Sequence, residues 1–214
     1  MPPAKMNAHP IHSQFGVFLS STNQSSVQAY RHAARDVLKT KEFAHLWKPI
    51  EMDGFSPNDS PSVDECKRLV EQCAVYVGIL GPFYGSVIKE DDDDLNISYT
   101  EYEYTVASDS SKKIAIFTLP PEAVMAQTMR DELRYFKEQA KLFARQDAFI
   151  ERLNNLYTTR SVEDVDDFRE KFSTYVREEL ATFRQEILRG ASEWPIVVQP
   201  SALSVPASDV PYDL

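Results

Sequence analysis

Two rhythms divide the chain. From Phe15 to about Leu119, short apolar runs alternate with segments whose apolar residues recur at helical spacing. In chain order, FGVFLS from Phe15 is followed by a helix marked by Val27, Tyr30, Ala34 and Val37, and then by WKPIEMD from Trp47. A second helix carries Val63, Cys66, Leu69, Val70 and Cys73 before the run AVYVGIL, and a third starts near Ser98 ahead of KIAIFTL. Strands that are apolar on both faces and separated by helices predict a parallel sheet with helical crossovers.

After Leu119 the pattern is mostly helical. Leu133, Phe136, Ala140 and Phe143 fall 3, 4 and 3 apart, continuing less regularly to Phe149 and Leu153. A longer stripe runs through Val165, Phe168, Phe172, Tyr175, Val176, Leu180, Phe183 and Ile187. Ser161 with Asp164 predicts the cap of this last helix and Gly190 its stop, giving about 29 residues, long enough to overhang the sheet as a partner surface. LYTTRSV, just before, reads as a fifth, short edge strand.

Composition narrows the class. With 43% hydrophobic and 11% aromatic residues the 214-residue chain can bury a core, which excludes a wholly disordered or fibrous protein. Lys and Arg number 23 against 33 Asp and Glu, a net charge of -10 with no basic cluster, so nucleic acid is not an expected partner. No run approaches the ~20 apolar residues that span a bilayer, and the first residues lack a signal-type apolar segment. The expectation is a soluble, cytoplasmic protein that does not engage membranes. Cys66 and Cys73, seven apart on one predicted helix, lie roughly 10 Å apart by rise alone and are expected as reduced core residues. No CxxC or Cys/His cluster points to a metal.

The candidate chemistry gathers at strand ends. In an open parallel sheet wound in two directions, ligands bind beyond the carboxyl ends of the strands at the switch point. The loops that meet there follow the first and third strands: Ser20-Ser21-Thr22-Asn23 and Gly81-Pro82-Phe83-Tyr84-Gly85-Ser86. One offers hydroxyls and the other glycine-permitted backbone approach, whether as a ligand site or as ordinary turns. Neither matches a dinucleotide or P-loop fingerprint. Downstream, Ser98 and Glu101 have capping-box spacing, which gives Glu101 a structural task. On a helix whose Tyr99, Tyr102 and Val106 face the sheet, Glu103 stands beside the buried stripe, in line with Tyr99 and Ala107. It either snorkels to solvent, pairs with a lysine, or serves the crevice. Asp53 either faces the crevice or caps a turn. Asp91 to Asp94 lack the spacing of a calcium loop, and His9, His12, His32 and His45 fall outside the site loops, so no Ser/His/Asp triad assembles.

Taken together, FGVFLSSTNQSSVQAYRHAARDVL, EMDGF, DECKRLVEQCAVYVGILGPFYGS and ISYTEYEYTVA resemble the family known as domain of unknown function 4062, found ahead of signal-transducing NTPase modules. The resemblance covers residues 15 to 119 and, more loosely, the helices to about 188. It implies a fold similar to TIR domains and nucleoside 2-deoxyribosyltransferases: an α/β, flavodoxin-like three-layer sandwich. Its mostly parallel sheet would have about five strands in the order 2-1-3-4-5, followed by long C-terminal helices. The chain then divides into a flexible arm over 1–14, a TIR-like domain over 15–190 and a Pro/Ser-rich linker or tail over 191–214.

Deoxyribosyltransferases carry Thr-x-x-Glu with a small residue four positions further on. Thr100, Glu103 and Ala107 keep that spacing, so the resemblance places Glu103, not Glu101, at the catalytic position. A fixed carboxylate short of water would stabilise the positive charge that builds on a sugar as its N-glycosidic bond breaks, or would attack the anomeric carbon. Ser20, Ser21 and Tyr84 would hold ribose hydroxyls or phosphate, with Thr22, Asp53, Gly81, Ser98 and Thr100 completing the substrate site. Phe83 stands where the family commonly has arginine, and Asp53 where it more often has glutamate.

Two functions are therefore expected. One is a signalling or antiviral-defence effector that cleaves the N-glycosidic bond of NAD or a related nucleotide with Glu103, NAD being substrate and no cofactor or metal being needed. The other is a non-enzymatic module for self-association or partner binding within a larger signal-transducing NTPase-type protein.

Overall fold

Strands β1 (Phe15–Ser21), β2 (Trp47–Ile50), β3 (Val75–Leu80), β4 (Lys113–Thr118) and β5 (Arg160–Ser161) form one parallel sheet in the order β2-β1-β3-β4-β5. A computed structural model describes residues 14–52, 63–88 and 96–189 of the chain. The N-terminal arm, Asp53, the acidic run Asp91 to Asp94, Gly190 and the Pro/Ser-rich tail lie outside the described residues.

The register explains why the apolar runs are continuous. Phe15 pairs Trp47, Val17 pairs Val75 and Val75 pairs Lys113, so alternate residues of each strand enter opposite faces. On one face Val17, Leu19, Val77, Ile79 and Phe117 pack against α1 (Ser25–Leu38), α4 (Pro121–Asp131), α7 (Val165–Tyr175) and α8 (Ala181–Arg189). Phe117 meets Phe168 at 5.3 Å and Phe172 at 5.7 Å between ring centroids. On the other face Phe18, Tyr76 and Ile116 pack against α2 (Val63–Glu71), α3 (Tyr99–Asp109) and α6 (Phe143–Leu156). The result is the three-layer, flavodoxin-like α/β architecture expected from the alternation of elements.

Helices α5 (Leu133–Gln139) and α6 carry the chain from one layer to the other. Tyr135, Phe136 and Phe143 pack on the first cluster, whereas Phe149 and Leu153 belong to the second. No helix among the described residues is long and apolar enough to cross a membrane.

The C-terminal helix differs from the sequence expectation. Its cap is Asp164, whose side chain accepts from the Asp166 and Asp167 amides, while Ser161 is drawn into the edge strand beside Thr118. A π turn over Val176–Leu180 interrupts it before α8. Its stripe is buried at Phe168, Phe172, Tyr175, Val176, Leu180 and Ile187 and half-buried at Phe183, and α7 packs on α1 with Tyr30 and Phe168 at 5.7 Å.

Candidate functional site

The chain leaves β1 toward β2 on one side and continues from β3 toward β4 on the other, so the switch point lies between the carboxyl ends of β1 and β3. Ser20, near the end of β1, stands opposite Gly78 in that register. A Cβ at Gly78 would come within 3.0 Å of the Ile116 side chain and 3.3 Å of the Tyr76 ring, so glycine leaves room for both.

Ser20 Oγ donates to Glu103 Oε2 at 2.5 Å, and Glu103 is only 6% exposed. Glu103 does not snorkel, and no lysine among the described residues pairs with it. The buried face of α3 comprises Thr100, Glu103, Tyr104, Val106 and Ala107, whereas Tyr99 and Tyr102 are half-buried. The face is thus rotated from the expected one. Tyr104 fills the space against Tyr76 at 6.4 Å and Phe149 at 5.7 Å, which brings Glu103 to the centre of the buried face.

Burial drives the Glu103 carboxyl up to about 7, against the opposing pull of the Ser20 hydroxyl and the positive charge of Arg31. Its charge in turn acts on its neighbours. Tyr76 is held well above the usual phenol range by burial and then by Glu103, and Cys66 is pushed up to about 12 by the same two causes. Arg31 was not anticipated. It lies buried on α1 with its Nε 3.6 Å from Glu51 Oε2, while Arg35 Nε stands 3.1 Å from Glu51 Oε1. The available signal was two arginines at i and i+4 opposite a glutamate just past β2.

Other predicted residues have structural partners. Ser98 caps α3, its Oγ accepting from the Glu101 amide at 3.2 Å, and Thr100 offers its carbonyl to Tyr76 Oη at 3.4 Å. The Glu101 carboxylate does not complete the capping box. It accepts from Tyr84 Oη and from Arg152 Nη2, the latter at 2.7 Å. Tyr84 therefore faces a second, more external cluster, with the Arg145 guanidinium 4.7 Å from its ring centroid.

The Gly81–Gly85 loop is held from beneath by two buried glutamines. Gln146 Nε2 donates to Gly81 O at 2.6 Å; Gln139 accepts from Gly85 N at 2.9 Å and donates to Gly85 O at 3.1 Å. The Gly85 N–H is thus already bonded within the protein and offers no donor to a phosphate, whereas at Gly81 only the carbonyl is bonded by this pair. Phe83 lies inside an aromatic cluster with Tyr135, Phe136 and Phe143. Close to Ser20 in sequence, Ser21 Oγ, Thr22 Oγ1 and the Gln24 amide atoms are buried without hydrogen-bond partners among the described residues. Gln24 was not singled out in the sequence, since a glutamine before a helix carries no motif.

No group of three or more His, Cys, Asp or Glu among the described residues could hold a metal ion. The arrangement that remains is a water-poor carboxyl group, oriented by a serine, at the switch point of a parallel sheet.

No curated protein and no solved structure matches the chain. A family model described as domain of unknown function (DUF4062) matches residues 16–177, from the second residue of β1 into the π turn and across every residue of the Ser20–Glu103 site. That span takes in all of the sheet except Phe15 and most of the chain, and the protein belongs to the DUF4062 family.

Proposed function

We propose that this chain is a TIR-like signalling or defence effector domain that cleaves the N-glycosidic bond of NAD or a related nucleotide, with Glu103 as the catalytic carboxylate. The observation that carries the reading is the buried Glu103 carboxyl at the β1–β3 switch point, held by Ser20. In the ionised form, a carboxylate shielded from water stabilises an oxocarbenium-like charge more strongly than the neutral substrate. A cationic ring entering beside it favours that ionised form, so substrate binding itself would prepare the group. Catalysis through the ionised form predicts a kcat/KM that rises with pH through a limb near 7, the value of the free protein.

The test is nicotinamide release from NAD by the purified chain at low and high protein concentration, with Glu103→Gln in parallel. Release that disappears in the variant supports the reading. Silence of the folded protein at every concentration overturns it.

Self-association is the second reading. It is favoured by Met129 and Leu133, which are 55% and 45% exposed on the adjoining helices α4 and α5. Sedimentation that stays monomeric at high concentration, unchanged by Met129→Lys with Leu133→Lys, would remove it.

A further inference from the structure

Four polar side-chain atoms in the link from β1 to α1 are buried without a hydrogen-bond partner among the described residues: Ser21 Oγ, Thr22 Oγ1, and both Nε2 and Oε1 of Gln24. Gln24 is 1% exposed. Native proteins retain few such groups unless water, an ion or a ligand completes them, so this is a local excess. The usual structural uses of these side chains are not in force. Gln24 is the N-cap of α1, its carbonyl accepting from the Val27 and Gln28 amides, yet its side chain makes no capping bond.

Neighbouring polar residues provide the contrast. Asn23 Oδ1 accepts from Gln28, Ser25 donates to Glu132, and Ser26 pairs with Thr128. The side chains left without partners are those that follow directly on Ser20, the residue holding Glu103, together with Gln24. Thr22 also turns its methyl toward Gly85, so this link and the β3 loop close on one another beside the switch point.

We propose that the β1–α1 link recognises the leaving group of the substrate, and that Gln24 is its specificity-determining residue. It selects a planar group bearing a hydrogen-bond donor and acceptor side by side, as in a carboxamide or the amide edge of a nucleobase. The inference rests on the reading of Glu103 given above. A primary amide offers two donors and an acceptor carbonyl, and a second amide of opposite sense satisfies both atoms in one cyclic pair. A carboxylate in the same place supplies no donor and sets its negative charge against the lone pairs of Gln24 Oε1. A site built on buried hydrogen bonds rejects an analogue lacking one of them steeply. Thr22, beyond the end of β1 and able to donate and accept, matches a hydroxyl of the adjoining ribose.

The full chain carrying Glu103→Gln, which blocks turnover, is titrated calorimetrically with NAD and with its nicotinic-acid analogue, in which a carboxylate replaces the carboxamide. NAD is expected to bind at least tenfold more tightly. Adding Gln24→Met, closest in shape, is expected to erase the preference without lowering the melting temperature of the unliganded protein; Gln24→Leu serves as the second variant. Equal binding of the two dinucleotides, binding of neither, or a preference that survives both variants overturns the assignment. So does a lower melting temperature in both variants, which would show that the amide is satisfied within the protein. The two readings separate cleanly. Nicotinamide release with unchanged selectivity in Gln24→Met removes Gln24 and leaves Glu103 standing, whereas selective binding without release by the wild-type chain does the reverse.

Discussion

Ser20 Oγ and Glu103 Oε2 meet at 2.5 Å although 83 positions separate them in the chain, and the contact ties the end of β1 to the buried face of α3. The hydroxyl donates to the charged form of the carboxyl and so opposes the upward push of burial. Ser20→Ala removes that opposition. The Glu103 titration is expected to move above its value of about 7 in the variant, as followed by carbon NMR of the labelled carboxyl. An unmoved or lowered titration would show that the serine does not hold the ionised form.

The same shift fixes a dependence of stability on pH. Between 4.5 and about 7 the folded protein holds a proton on Glu103 that the unfolded chain has released. Stability from this group is therefore complete below 4.5, declines as pH rises through 7, and is lower by about 3 kcal/mol above it. Glu103→Gln keeps an acceptor for Ser20 and removes the charge. The variant is expected to lose the decline and to be more stable than wild type at pH 8 by a similar amount, measured by urea unfolding at both ends of the range. A large loss of stability instead would make Glu103 a structural partner.

These properties were only partly legible in the sequence. Apolar runs buried on both faces announced the parallel sheet, and the resemblance supplied its order. Ser20 and Glu103 were both singled out, but their contact was not readable, since residues so far apart meet only through the register of β1 with β3 and the rotation of α3. That rotation was misplaced because Tyr102 and Tyr104 are equally apolar in a helical pattern. Packing of Tyr104 between Tyr76 and Phe149 decides between them. The spacing of Ser98 and Glu101 predicts a cap partner because it cannot register the competing donors Tyr84 and Arg152, which arrive from other elements. Gln24 carries no motif and Arg31 only its i, i+4 spacing with Arg35, so burial is what makes both visible.

Both cysteines are free and buried, and both thiols are pushed up to about 12, Cys66 by burial and then by Glu103, Cys73 by burial. Reaction with thiol reagents requires the thiolate and access to it. At pH 8 the native protein is expected to label more slowly than the unfolded chain by at least a hundredfold, with both sites reacting together as urea reaches the unfolding midpoint. Rapid labelling of Cys66 alone in the native protein would mean that α2 opens locally above Glu103.

Gly85 adopts φ +86°, and a Cβ built there would come within 2.9 Å of Thr22 Cγ2. Both facts penalise Gly85→Ala: the left-handed conformation disfavours any side chain, and the methyl would push into the β1–α1 link. A destabilisation of about 2 kcal/mol is expected. Gly81→Ala is the control, because its Cβ would meet Val27 at 3.3 Å in a conformation without positive φ, and the smaller strain should cost less than about 1 kcal/mol. Gln139→Leu attacks the same loop from beneath. It leaves the Gly85 N–H and C=O without the two bonds that Gln139 supplies, at a cost of about 2–4 kcal/mol for the pair. Because Gly85 and Thr22 are in contact range, Gly85→Ala should also weaken NAD binding more than its stability loss alone would at a temperature where the variant is fully folded. Calorimetry at that temperature checks the point: equal affinity in Gly85→Ala and Gly81→Ala would separate the β3 loop from recognition and confine it to stability.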